Sequence, residues 1–319
     1  MRRKAPRGKP RRHAMNIMRT GLLLAALTAL FMGTGYLIGG TSGMVLALAF
    51  AVATNAFAYW NSDRLALRMH RAQPVTRMSH PALWDTVARL AQQAQLPMPK
   101  VYLIDARQAN AFATGRNPDN AAVAVTAGLL HNLSAPEVEG VIAHELAHVR
   151  NRDTLIMTIA ATVAGAVSML ANIGFFMGGN RDRGQFGVIG VLIAVFLAPL
   201  AAALIQMTVS RTREYAADAG GAEISRNPLA LASALAKISE QAKWVQMPSA
   251  ETHPNSAHMF VVNPLIGMRL DRMFSTHPPV ERRIAALEAM ASDGTYRRPG
   301  PPPRRSTDRR SPVPVVRRR

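Results

Sequence analysis

His144-Glu145-Leu146-Ala147-His148 is the stretch of this sequence best suited to chemistry. Two histidines at i and i+4 lie one helical turn apart on one face, so both imidazoles can reach a single cation. With nine His in 319 residues, only about 0.007 copies of the pattern are expected by accident. It therefore reads as a metal site rather than two stray helix histidines. Zn²⁺ favours nitrogen and oxygen donors in a tetrahedral site, and a catalytic site keeps one position for water. Glu145 follows the first histidine and is placed to act as general base on that water.

Such a site needs a third protein ligand, which any Asp, Glu or His that folds back could supply. Arg213-Glu214-Tyr215-Ala216-Ala217-Asp218 offers two carboxylates at i and i+4. It follows an apolar stretch long enough to form a helical hairpin, which would return Glu214 close to His144 and His148. Asp218 would then lie one turn away on the same face, suited to a bond to a ligand imidazole.

These side chains need rigid supports. Ser134-Ala135-Pro136-Glu137 is a capping box with proline in the first turn, and it opens a helix expected to reach about Asn151. Before it, Pro81–Gln95 has helical periodicity, with Leu83, Trp84, Val87, Leu90 and Ala91 on one face. Lys100–Asp105, Ala109–Thr114 and Ala121–Thr126 read as strands, the last two flanking the turn 115–120. Arg213–Ala219 is expected to be a helix stopped by Gly220-Gly221. Asn227-Pro228 starts another helix to about Trp244, 246–275 read as loop, and His277-Pro278-Pro279 starts a last helix through Met290.

Between Arg19 and Asp63 lie 43 residues with no Asp, Glu, Lys or Arg. A membrane helix needs about 20 apolar residues, so this run fits two helices, near Thr20–Ile38 and Gly43–Tyr59, around a glycine-rich turn. Runs 154–180 and 184–210 are also uncharged and form a second candidate pair. The domain reading is therefore a basic tail 1–19, a transmembrane hairpin 20–60, a half-domain 61–153, an apolar hairpin 154–208, a second half-domain 209–292, and a disordered Pro/Arg-rich tail 293–319. The net charge is +19. Sixteen of those charges sit in residues 1–19 and 295–319, so the body is nearly neutral. Arg64, Arg68 and Arg71 follow the first hairpin. Both of its flanks are thus basic, and the N-terminus is expected on the cytoplasmic side. The basic ends read as lipid-facing or topology-fixing, and no specific nucleic-acid partner is expected.

The chain has no cysteine. Disulfides, thiolate metal sites and a cysteine nucleophile are excluded. There is also no G-x-S-x-G elbow, phosphate loop or dinucleotide fingerprint.

Asn110–Gly115 (NAFATG), Val141–Asp153 (VIAHELAHVRNRD), Ser210–Asp218 (SRTREYAAD) and Thr276–Pro279 (THPP), followed by Arg282 and Arg283, occur in that order. Together they resemble the HtpX-like membrane metallopeptidases of the M48 family. The resemblance covers roughly residues 20–292. It implies an α+β, mainly α, gluzincin-like metalloprotease domain with a small β-sheet, plus membrane-spanning helices. It also implies one Zn²⁺ per chain, held by His144, His148 and Glu214, with Glu145 as base and Asp218 and Tyr215 around the ligands. His277 is implied near the developing oxyanion, with Tyr215 as an alternative donor. Asn110 and Phe112 are implied to border the substrate cleft. The expected role is a multi-pass endopeptidase of the bacterial inner membrane, active on the cytoplasmic side. Its expected substrates are misfolded or damaged membrane proteins under stress, with the lipid bilayer as partner. The Arg-rich start and the Pro/Arg tail exceed what the fold requires.

Overall fold

Among the described residues, four β-strands and the helices on either side of them position the chemistry. The structure, a computed structural model, describes residues 9–159, 211–265 and 278–293. In chain order the elements are α1 (Lys9–Met69), β1 (Gln73–Pro74), α2 (Pro81–Gln93), β2 (Lys100–Ile104), β3 (Ala111–Gly115), β4 (Ala121–Thr126), α3 (Ala127–Asn132), α4 (Ala135–Asn151), α5 (Arg211–Ser225), α6 (Pro228–Ala242), α7 (Pro248–Thr252) and α8 (Val280–Ser292). The result is mainly helical with a small mixed sheet.

The sheet order is β1-β2-β4-β3. β2 and β4 run parallel, while β1 and β3 pair antiparallel with β2 and β4. β3 is therefore an edge strand and β4 an interior one. Strand side chains alternate between faces, and here both faces are buried. Ala111, Ala113, Val123 and Val125 pack towards α2, α4 and α6. Phe112, Ala122, Ala124 and Ile104 pack on the other face, against Ala66 and Leu67 of α1 and Met247, Ala250, Met259 and Phe260.

α4 begins as the capping box requires. The Ser134 N–H donates to Glu137 Oε2 at 2.8 Å. Glu137 also accepts from Ser233 Oγ at 2.6 Å and Lys237 Nζ at 2.8 Å, which ties the start of α4 to α6. α4 ends at Arg152, whose left-handed φ of 59° folds the chain back, and the Asp153 N–H donates to His148 O at 3.0 Å. That is a Schellman-type stop without its usual glycine.

α1 is broken at Gly39-Gly40, and Gly40 has φ +60°, a conformation that suits glycine. The two arms fold back on each other: the Phe31 and Phe50 rings meet edge to face at 5.6 Å, and Gly35 packs against Gly43 and Ala47. Large apolar side chains stay exposed along this hairpin, Leu46 at 72% and Trp60 at 59% among them. Helix begins at Lys9, inside the expected basic tail, and continues past the expected arm to Met69. Among the described residues no helix is long and apolar enough to cross a membrane. Most of the second apolar pair, 160–210, and the C-terminal tail from 294 lie outside the described residues.

Two local expectations need correction. α5 does not stop at Gly220-Gly221 but runs through both to Ser225. The two glycines lie at a close helix–helix contact, so here they serve packing. The stretch 246–275 is not all loop: α7 and a 3₁₀ turn, Pro254–Met259, occupy part of it, each started by a proline. Elements this short carry no readable period. β1 and α3 were not anticipated from the sequence.

Candidate metal centre

His144 and His148 project from adjacent turns of α4, and both are buried. Their Nε2 atoms face each other at 3.2 Å. α5 crosses α4 here and brings Glu214 in: Oε2 lies 3.8 Å from His144 Nε2 and Oε1 3.7 Å from His148 Nε2. One donor atom from each of the three residues falls within 4.8 Å of the others. The crossing is close because Gly221 has no side chain: a Cβ there would stand 2.9 Å from the backbone N and Cα of His144.

The other ring nitrogens are taken by carboxylates. His144 Nδ1 lies 3.0 Å from Asp218 Oδ1, and His148 Nδ1 lies 3.3 Å from Asp153 Oδ2. Each imidazole is thus turned so that Nε2 points at the common centre, the arrangement that orients zinc ligands. The residues present fit Zn²⁺: two nitrogens and one carboxylate converge, and both outer nitrogens are oriented.

Asp218 is held in turn by Arg283 of α8, which is fully buried. Arg283 Nε donates to Oδ2 at 2.8 Å and Nη2 to Oδ1 at 2.7 Å, a bidentate pair. Nη1 donates to Val261 O at 2.9 Å and lies 3.5 Å from Glu214 Oε2. Burial alone would raise the Asp218 carboxyl, but Arg283 and His144 outweigh it and hold it below the usual carboxylate range. Burial alone would lower His148. The Asp153, Glu214 and Glu145 carboxylates outweigh it and push His148 up to about 9, so the cluster attracts positive charge. Burial lowers His144.

Glu145 sits between the ligand pair and β3. Burial, with Glu214 adding to it, pushes its carboxyl up to about 7, and it accepts the Ala113 backbone N–H. It is kept out of the ligand set and within reach of whatever lies along the β3 edge.

The structure places the other expected site residues differently. Asn110 is buried, with Nδ2 donating to Val262 O at 2.8 Å and Oδ1 accepting from the Ala111 N–H at 3.1 Å. It ties down the start of β3. Phe112 does not border the cleft: it is fully buried on the opposite face of the sheet, with its ring 5.2 Å from Phe260 and 5.5 Å from His70. Strand alternation explains this, since Ala111 and Ala113 take the α4 side and Phe112 the other. Tyr215 is half-buried, and no hydrogen bond joins it to the ligands among the described residues. His277 lies outside the described residues. Sequence reasoning missed Asp153 and gave Arg283 no role. The turn after α4 could have pointed to Asp153, whereas Arg283 comes from 65 positions beyond Asp218.

A His₂Glu donor set, with a carboxylate residue directly after the first histidine, defines a metallopeptidase-type centre. The chain belongs to peptidase family M48, whose model matches residues 78–291 and whose members are zinc metallopeptidases. Among solved structures it is similar to the crystal structure of S. mikatae Ste24p. The identity is 17% and the TM-score 0.47, with 86% of this chain and 66% of that chain covered. The chain thus spans just under two thirds of that protein's length.

Proposed function

We propose that the protein is an HtpX-like, membrane-anchored zinc endopeptidase that hydrolyses extended segments of misfolded or damaged membrane proteins under stress. The observation that carries the peptidase reading is the convergence of His144, His148 and Glu214 with Glu145 beside them, beneath a strand edge. Bound there, Zn²⁺ supplies a Lewis acid that polarises a scissile carbonyl and acidifies water. The chain's own groups do the rest. Glu145 takes the water's proton and passes it to the leaving amine. Asp218 and Asp153 keep the two imidazoles aimed, and Arg283 pairs with Asp218 and stands beside Glu214.

Substrate pairs with β3, the edge strand of the sheet, since β4 is interior. In antiparallel pairing, residues alternate between bonding the partner strand and facing away. Asn110 bonds to Thr126 across the sheet, so Ala111, Ala113 and Gly115 face the edge. Ala111 O is taken by the Val261 N–H, Gly115 O by Thr154 Oγ1 and the Ala113 N–H by Glu145, which leaves the Ala113 carbonyl facing the edge between them, directly beside the base. A substrate strand entering there brings its main chain to the base.

The anchor is the α1 hairpin. Its 43-residue uncharged run and its exposed apolar side chains support insertion in a bilayer, and the basic flanks support a cytoplasmic site. In this reading residues 154–208 are a second, membrane-embedded apolar pair.

The test is zinc content and casein cleavage on detergent-purified protein, wild type beside Glu145→Gln. About one Zn²⁺ per chain in both, with cleavage only in wild type, supports the reading. Cleavage by the variant, or no metal uptake after supplementation, overturns it.

A further inference from the structure

His70 follows α1 directly and is only 1% exposed. Both ring nitrogens are used. Nδ1 lies 3.0 Å from Ser249 Oγ and Nε2 3.0 Å from Ser256 Oγ. Ser256 Oγ donates its own proton to His253 O at 2.6 Å, so it accepts from the histidine. Nε2 therefore carries a proton. Burial, with His253 nearby, holds the ring's pKa down to about 4, which keeps it neutral. With the ring neutral, Ser249 is the donor on the other side.

This bridge ties the base of the α1 hairpin to the stretch 248–260, more than 170 positions away. The ring stands edge-on to Phe260 at 4.9 Å. The next residue, Val261, donates to Ala111 O at 3.1 Å and accepts from Arg283 Nη1 at 2.9 Å, and Val262 O accepts from Asn110 at 2.8 Å. The segment 260–262 therefore lies along the edge of β3 and closes it just before Ala113. Apolar packing alone is non-directional, and a satisfied polar bridge specifies one placement.

We propose that His70 is a positioning residue of the peptidase site: by bridging Ser249 and Ser256 it holds 260–262 against β3 and fixes where a substrate strand can start to pair. This rests on the reading of β3 as the substrate edge. The segment acts as a wall and not as a removable plug, because Val261 is buried in the main core and clamped by Arg283.

The experiment uses the full chain, zinc-loaded, in lipid nanodiscs. The double variant Ser249→Ala/Ser256→Ala removes both hydrogen bonds and leaves the ring packing in place. His70→Gln offers one donor and one acceptor as a partial rescue. Backbone hydrogen exchange at 111–115 and 259–262 is read beside kcat, KM for an extended peptide, and zinc content. In the double variant, exchange at 259–262 is expected to be about tenfold faster. KM is expected to rise about five- to tenfold with kcat within about twofold and zinc unchanged. His70→Gln is expected to fall in between. If the double variant loses its cooperative melt, the two single serine variants carry the same comparison. A folded, zinc-loaded double variant with wild-type exchange and KM overturns the proposal. So does loss of kcat and zinc together without a change in KM, which would make His70 an ordinary packing residue. A wild type that binds zinc and cleaves nothing overturns the peptidase reading itself, and the exchange data separate that failure from failure of the bridge.

Discussion

Arg283 holds Asp218 through two hydrogen bonds and stands 3.5 Å from Glu214, with no exposure to water. Removing a buried partner leaves its counter-charge stranded, which costs about 3–5 kcal/mol. Arg283→Met is therefore expected to destabilise the fold by that order in urea titration. It should also weaken zinc binding about 10–100-fold by chelator competition, because the His144 ring loses its fixed support. Asp153→Asn is expected to weaken zinc binding by a similar factor with a smaller cost in stability. Phe112 gives the opposite signature. Its ring fills the second core, so Phe112→Ala is expected to cost about 3–5 kcal/mol. A variant that instead kept its stability and raised KM would return Phe112 to the cleft.

At the scale of elements, the α4–α5 crossing decides whether a third ligand exists. Gly221→Ala would push its new methyl into the His144 backbone. Overpacking of this kind costs about 1–3 kcal/mol, and here it would also move Glu214. Zinc affinity and denaturant midpoint are expected to fall together. The stop of α4 behaves differently: Arg152 sits at φ 59°, where glycine is preferred. Arg152→Gly is expected to gain about 0.5–1 kcal/mol.

Glu137 gives the pH dependence. Burial alone would raise its carboxyl, but hydrogen bonds from Lys237, Ser233 and Ser134 outweigh it and lower it to about 2. A carboxylate whose folded pKa is depressed adds stability above its unfolded value, and that stability is lost as pH falls through the folded value. Unfolding free energy should therefore decline from about pH 4.5 down to about 2, and Glu137→Gln should remove that part of the slope. Much of this level was legible in the sequence. The capping box, the H-E-x-x-H turn and the Glu214/Asp218 pair are local patterns that a helix turns into geometry by itself. The course of α5 was not legible, because Gly220 and Gly221 look like a helix stop until the neighbouring helix is known.

At the scale of the whole molecule, chelation is expected to abolish casein cleavage and added Zn²⁺ to restore it. The site is assembled only by folding, so free metal at about 100 times its Kd should raise stability by up to about 2.7 kcal/mol, read as a shift in Tm. The hairpin reading predicts that the full chain floats with phospholipid vesicles in a density gradient and stays with them after alkaline washing. Recovery in the wash would remove the anchor. Long-range assembly was the least legible feature. Nothing near Arg283 in sequence indicates Asp218, and nothing near His70 indicates Ser249 and Ser256. Such partners are fixed by how the sheet stacks between its two cores, which no local pattern encodes.

The Ala113 carbonyl on the β3 edge has a consequence for discrimination. In the proposed reading Ala113 offers its main-chain carbonyl, its N–H being held by Glu145, and main chain is common to every protein, so this contact carries almost no sequence information. It does carry information about state. A polypeptide whose amides are already satisfied at home has nothing to offer the edge, while one that has come apart offers the same valence at every residue. In the proposed reading, the choice between sound and damaged clients can then be made by whether a client's backbone is vacant.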